Sequence, residues 1–293
     1  MELAGLGIAV DAHGRVEQRT ACPQCAKSTR DDTLGVNIET GAYHCFRCGW
    51  KGRAGGECTA PRPIARIDDP AIAERKRERL RRTWADAVPL SSPRAHAVRR
   101  YLEARALGDV LKDPPRSLRA HSELEYWDGA RCLGRFPAMV ALFHGARGEA
   151  VTLHVTYLRA DGCAKAAVPS AKKVLSPTRA GATKGGSIRL YQPRGGVLGI
   201  AEGIESALSL RLMQGIPVWS AFCADNLSRI RLPEGLAQLQ IAVDIDPSGK
   251  GREVAQALAT RVRSWSPRTR VLMVLPEADD DDLNSELMRK HAT

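Results

Sequence analysis

The chain has 293 residues, more than one compact core usually holds, so about two domains with connecting segments are expected. A composition of 43% hydrophobic and 26% charged residues is that of a globular protein and excludes a disordered one, and no apolar run approaches the ~20 residues of a membrane helix. The formal net charge of +11 fits a protein that meets a polyanion, nucleic acid first, although an arginine-rich proteome would produce the same count.

The N-terminus Met1-Glu2-Leu3-Ala4 lacks the basic region and long apolar core of a signal peptide, so a cytoplasmic location without membrane contact is expected. Of eight cysteines, Cys22, Cys25, Cys45 and Cys48 form two close pairs, while Cys58, Cys132, Cys163 and Cys223 are scattered. That is one metal site plus ordinary thiols, not a disulfide framework.

The first predicted module runs through Thr20–Gly56, rich in Cys, Gly and aromatics. Cys22-Pro23-Gln24-Cys25 and Cys45-Phe46-Arg47-Cys48-Gly49 stand nineteen residues apart. Each C-x-x-C turn offers two thiolates, and two such turns make the tetrahedral sulfur set of one structural Zn²⁺. Four sulfurs leave no open position for chemistry and no need for His44 as a ligand. Lys27, Arg30, Arg47, Lys51 and Arg53 surround Tyr43, Phe46 and Trp50, a basic and aromatic surface on which unpaired bases could stack. Phe46 and Trp50 read more simply as the core of this small module.

Thr59-Ala60-Pro61-Arg62-Pro63 breaks regular structure and predicts a linker. Helices are predicted over Pro70–Arg82 and His96–Ala106. From Pro137 to Leu158 the pattern alternates as in strands, with Gly145-Ala146-Arg147-Gly148 as the hairpin turn. A Gly-rich stretch carrying Lys172, Lys173, Lys184 and Arg189 follows, suited to gripping phosphates or serving as plain surface charge.

Beyond Gly195, apolar strands alternate with amphipathic helices: VLGIA, ESALSLRLMQ, PVWSAF, LQIAVD, REVAQALATRVRSW, RVLMVL. This predicts a parallel sheet with helical crossovers, whose chemistry gathers at the carboxyl ends of the strands. Glu202 ends the first strand and Asp244 and Asp246 end another. Residues two apart on a strand point the same way, so both aspartates can converge on one hard cation. Glu205, in the first turn of the following helix, reads as an acid that favours the helix dipole.

The run Glu202-Gly203-Ile204-Glu205-Ser206-Ala207-Leu208-Ser209, followed by Asp244-Ile245-Asp246-Pro247-Ser248-Gly249, resembles the Toprim domain of primases, topoisomerases and some nucleases. With the cysteine module ahead of it, the chain looks most like the small phage and plasmid DNA primases. Thr152–Leu158, Asp161-Gly162, Lys172-Lys173 and Gly185–Leu190 share the likeness. The resemblance implies an α/β multidomain protein: a small β zinc ribbon over 1–58, a linker and helical connecting region over 59–135, an α+β N-terminal part of the catalytic core over 136–194, and a Rossmann-like Toprim domain with a parallel sheet over 195–293. It implies primer synthesis on single-stranded DNA from ribonucleoside triphosphates. Asp244 and Asp246 would hold Mg²⁺ or Mn²⁺, and Glu202 would share a metal or assist proton transfer. Asp282-Leu283-Asn284-Ser285 resembles a further D-x-N-D motif but departs from it in the last place. A supplementary metal role for Asp282 and a solvated acidic turn over Asp279–Asp282 both stay open. A Toprim nuclease and a non-catalytic zinc-ribbon DNA-binding protein are the competing expectations. Ser248-Gly249-Lys250 is followed by Gly251, so no G-x-x-x-x-G-K-[ST] motor motif occurs, and a separate replicative helicase is the expected partner.

Overall fold

The computed structural model describes residues 3–26, 31–55, 58–59, 70–129, 131–179, 181–245, 249–277 and 281–292. The chain divides into two compact units, Met1–Asp69 and Pro70–Thr293.

The first unit is one antiparallel sheet of β1 (Glu17–Thr20), β2 (Leu34–Asn37), β3 (Ala42–Cys45), β4 (Lys51–Arg53) and β5 (Cys58–Thr59), in that order. The period-2 alternation of β2 turns Leu34 and Val36 inward, where they meet Ile8, Tyr43, Trp50 and the buried cysteines. Tyr43 and Trp50 pack with ring centroids 4.5 Å apart.

The second unit opens with α1 (Pro70–Asp86), its proline at the first helical position. There follow β6 (Val88–Pro89), α2 (His96–Ala104), β7 (Leu118–Asp128), β8 (Arg131–His144), β9 (Ala150–Tyr157) and β10 (Lys172–Val174). The strands form an antiparallel sheet in the order β10-β9-β8-β7-β6. β9 is buried almost throughout because both faces of the sheet are covered. Leu153, Val155 and Tyr157 pack with Leu80 and Trp84 of α1, and the opposite face carries His154 and Thr156. β7 and β8 make one hairpin, and position 136 lies inside β8.

The last sheet comprises β11 (Ile188–Arg189), β12 (Val197–Ala201), β13 (Val218–Ser220), β14 (Gln238–Ala242) and β15 (Arg270–Val274), ordered β11-β13-β12-β14-β15. All neighbours are parallel except β11 against β13. Its helices are α3 (Ile204–Gln214), α4 (Ala224–Leu227), α5 (Lys250–Trp265) and α6 (Leu283–Ala292). Val254, Leu258 and Val262 of α5 cover one face with Leu198 and Ile200. On the other face α3 and α6 pack with Tyr101 and Leu102 of α2 and Met139 of β8, so one continuous core joins the two sheets of this unit. Gly199 is required in β12, because a Cβ there would meet Leu210 Cδ2 of α3 at 2.7 Å.

The expected α/β multidomain class therefore holds: a small β module with clustered cysteines, an α+β region and a parallel sheet. No helix among the described residues is long and apolar enough to cross a membrane.

Candidate metal centre and carboxylate site

In the first unit the Sγ atoms of Cys22, Cys25, Cys45 and Cys48 all lie within 4.8 Å of one another. Sγ of Cys22 is 3.9 Å from that of Cys48, and Cys25 is 3.5 Å from Cys45. A Zn–S bond of about 2.3 Å in a tetrahedron sets the sulfurs about 3.8 Å apart, so the set fits zinc, and the spacing is far too long for a disulfide. The turn that presents Cys45 and Cys48 is built by Gly49, whose φ of +72° suits glycine, with the amides of Arg47 and Cys48 directed at Cys45 Sγ at 3.4 and 3.5 Å.

Trp50 is buried in the module core, but Phe46 is 61% exposed, a correction to the expectation that both are core. The core is already filled by the cysteines and the Tyr43–Trp50 pair. Phe46 instead lies on the sheet surface beneath the Arg19 guanidinium, 4.1 Å from its ring centroid, and beside His44. Arg47 is committed within the module: its guanidinium grips Asp31 and donates to the Cys25 carbonyl at 3.0 Å. Lys51 is exposed on β4. Lys27 and Arg30 lie outside the described residues.

In the second unit Glu202 follows β12 and Asp244 follows β14, at the carboxyl ends of adjacent parallel strands. Ser220 at the end of β13 donates to the Glu202 carbonyl at 2.7 Å, fixing that turn. The Ile245 amide donates to the Asp281 carbonyl at 2.8 Å, which ties the loop after β14 to the start of α6. Asp282 caps α6, its Oδ1 accepting from the Ser285 amide at 2.8 Å. Burial, then the charges of Asp282 and Glu202, push the Asp244 carboxyl up to about 7 against the opposite pull of Lys172 and Ser206. Asp244 Oδ1 is buried without a hydrogen-bond partner. An acid raised by burial and by two other acids, with one oxygen lacking a hydrogen bond, could serve as a ligand for a cation. Asp246 lies outside the described residues, as do Asp279 and Asp280.

Glu205 lies in the first turn of α3, as expected, but it is also buried and paired. It is 4% exposed, and Tyr101 donates to its Oε1 at 2.8 Å, while Lys172 reaches Oε2 at 3.1 Å and Lys165 reaches Oε1 at 3.5 Å. Burial alone would raise its pKa, but Lys172 and then Lys165 outweigh that and hold the carboxyl well below the usual range. Burial pulls the Lys165 ammonium down more than Glu205 raises it, so the closer Lys172 is the firmer partner. Tyr101 and Lys165 escape a reading of the sequence, since only the fold brings them to Glu205. The signal that was available is the composition of α3: Ile204, Ala207, Leu208 and Leu210 make the helix apolar on every side, and an acid in a helix that the fold buries must find a cation.

Lys172 therefore faces the acids, whereas Lys173 lies over the Tyr126 ring at 3.8 Å. Lys184 is exposed, and Arg189 stacks on Trp219 at 4.5 Å. Asn284 of the D-L-N-S segment is fully buried, donating to the Arg105 carbonyl at 2.8 Å and to Ser209 at 3.1 Å, a packing role.

Replacing Glu205 with glutamine is expected to destabilise the protein by about 3 kcal/mol at neutral pH, because two partly buried ammonium groups lose their counter-charge. The folded pKa is depressed, so this stabilisation is present above the unfolded value and lost as pH falls through the folded one. Denaturant titrations of both proteins should converge in strong acid; an equal difference at every pH would contradict the ion-pair account.

Residues 197–292 match the Toprim domain, and residues 74–185 match a domain of unknown function (DUF7146). The parallel sheet with its terminal carboxylates is thus a Toprim domain. No curated protein matches the chain. Among solved structures, the chain is similar to the primase fragment of the bacteriophage T7 primase-helicase protein, at 13% identity over 94% of this chain and 96% of that one, with a TM-score of 0.43. It is also similar to a DNA primase domain from Pseudomonas aeruginosa, at 15% identity over 73% of each chain and a TM-score of 0.46. A third is the zinc-binding and RNA polymerase domains of the Aquifex aeolicus primase, at 15% identity over 98% of this chain and 82% of that one, TM-score 0.38.

Proposed function

We propose that this protein is a DNA primase that makes short RNA primers on single-stranded DNA by metal-dependent nucleotidyl transfer, in phage or plasmid replication. The observation that carries the reading is the unpaired, buried Asp244 oxygen beside Glu202 and Asp282 at the strand ends of a Toprim domain, in a chain that also holds a four-cysteine cluster.

Asp244 would hold Mg²⁺ or Mn²⁺ together with Asp246, with Asp282 in support. A bound divalent cation supplies charge neutralisation on the triphosphate and activation of the attacking 3′-hydroxyl. Glu202, on the adjacent strand end, would share the cation or accept the hydroxyl proton. Lys172, held between Glu205 and Asp244, offers its ammonium to phosphate oxygens, and Lys184 and Arg189 are assigned to the template or nucleotide backbone. The cysteine set would hold one structural Zn²⁺ and present Arg19 and Phe46 to template bases. Duplex unwinding falls to a separate replicative helicase.

The test is synthesis from labelled ribonucleotides on single-stranded DNA with Mg²⁺ or Mn²⁺, comparing the wild type with Asp244→Ala and Cys45→Ser. Short template-dependent products that vanish in Asp244→Ala support the proposal. Degradation of the template in their place would make the protein a nuclease, and neither activity would leave a DNA-binding protein.

A further inference from the structure

Lys172 stands on β10, an edge strand, where a lysine side chain can sample many rotamers. Here one is selected. Its ammonium meets Glu205 Oε2 at 3.1 Å, and the pair lies against the turn that follows Glu202: a Cβ added to Gly203 would stand 3.6 Å from Oε2 and 3.9 Å from the Lys172 Nζ. Burial, Asp282 and Glu202 raise the Asp244 carboxyl and Lys172 opposes them, so its charge is felt at that strand end as well. The Lys172 side chain is 40% exposed and that of Glu205 only 5%, so the anchor is buried while the lysine stays accessible.

Glu205 does not depend on Lys172 alone. Its other oxygen accepts from the Tyr101 hydroxyl at 2.8 Å and lies 3.5 Å from the Lys165 ammonium. Tyr101 is fully buried in α2, and Lys165 comes from the segment between β9 and β10. Arg105 adds a further positive charge that is felt at both Tyr101 and Lys165. Nearby, His154 and Thr156 share one face of β9, buried, with Nδ1 and Oγ1 unpartnered, and burial holds His154 down at about 4, so it adds no charge at neutral pH. Two ammonium groups thus share one carboxylate. A structural ion pair needs a single lysine; a second one keeps Glu205 balanced when the first is drawn away.

An accessible ammonium, docked on a buried anchor that has other partners, is preorganised for a phosphate oxygen and costs little to release. We propose that Tyr101 and Lys165 are positioning residues, which hold Glu205 so that Lys172, docked on it at rest, passes to the triphosphate of the incoming nucleotide without leaving a bare buried charge. When either is lost, Glu205 holds Lys172 more tightly and the phosphates compete for it less well. This role rests on the primase reading for the identity of the nucleotide site, and extends it to residues that touch no substrate.

The test takes two readouts on the full chain: affinity for ATP with Mg²⁺, by displacement of a fluorescent ATP analogue, and KM and kcat of primer synthesis. Lys172→Met is expected to weaken nucleotide binding about tenfold, the loss of one charge-assisted hydrogen bond. Tyr101→Phe and Lys165→Met should each weaken it about fivefold, in KM rather than kcat, because the binding lost is common to ground and transition states. In a Lys172→Met background neither should matter further, and the double variants should stay within about twofold of Lys172→Met. A merely structural role would add its loss whether or not Lys172 is present. Circular dichroism corrects each affinity for the folded fraction, and Lys165→Met, at a partly exposed site, covers any folding defect of Tyr101→Phe. Additive losses in the double variants, or unchanged nucleotide affinity in folded Tyr101→Phe and Lys165→Met, would overturn the positioning role. Coupled losses in a protein that makes no primers would sink the primase reading and leave the role standing; primer synthesis with additive losses would do the reverse.

Discussion

Asparagine at position 244 is expected to reduce primer synthesis by about a thousandfold, because a cation held there contributes several kcal/mol of charge stabilisation in the transition state. The same variant has a second readout that does not depend on activity. In metal-free wild type the folded Asp244 keeps its proton up to about pH 7, pushed there by burial, Asp282 and Glu202. The unfolded chain releases that proton near the ordinary value of about 3.9, so between about pH 4 and pH 7 the folded state binds more protons and stability falls as pH rises. Asp244→Asn removes the penalty: with chelator at pH 8 it should be more stable than wild type by about 2 kcal/mol, with little difference at pH 4. Adding Mg²⁺ should raise the Tm of wild type and leave the variant unmoved. Equal Mg²⁺ stabilisation of both proteins, or full synthesis by the variant, would remove Asp244 from the cation site.

The second large effect concerns the cysteines. Small modules of this kind draw on the order of 10 kcal/mol or more of folding free energy from their metal, since so short a sheet buries little apolar surface. Cys45→Ser is therefore expected to lower zinc content from one per chain towards none and to expose the first unit to rapid proteolysis. It should also abolish template-dependent initiation. The measurements are zinc by atomic absorption, limited trypsin digestion and primer synthesis on the same preparation. A variant that keeps its zinc, or that loses it while initiating normally, would show that the cluster neither needs Cys45 nor reads template.

Much of this arrangement is carried by local pattern. Two C-x-x-C turns define a sulfur site because each turn holds its pair regardless of what surrounds it, and the structure brings all four together. Apolar strands alternating with helices past Gly195 determine a parallel layer, and that topology alone sends Glu202 and Asp244 to the same edge. The 3.6-residue spacing located α1, α2, α3 and α5, and the period-2 alternation from Pro137 to Leu158 located β8 and β9.

What the pattern could not decide is every question settled by contacts distant in sequence. Phe46 and Trp50 are both aromatic neighbours of the second cysteine pair, yet only Trp50 joins Tyr43 and the cysteines in the core. Glu205 looked like a helix-end acid, but Tyr101 from α2 and Lys165 and Lys172 from the other sheet meet it only after the two sheets close on one core. Lys172 and Lys173 are neighbours in the chain, and strand pleating parts them to opposite faces. Sequence by itself thus determined the four clustered cysteines and the strand edge where Glu202 and Asp244 gather, because those follow from turn and strand geometry. Which acid is paired, which is left unbalanced, and which cations face outward were decided by tertiary packing, since burial and charge neighbours exist only in the folded chain.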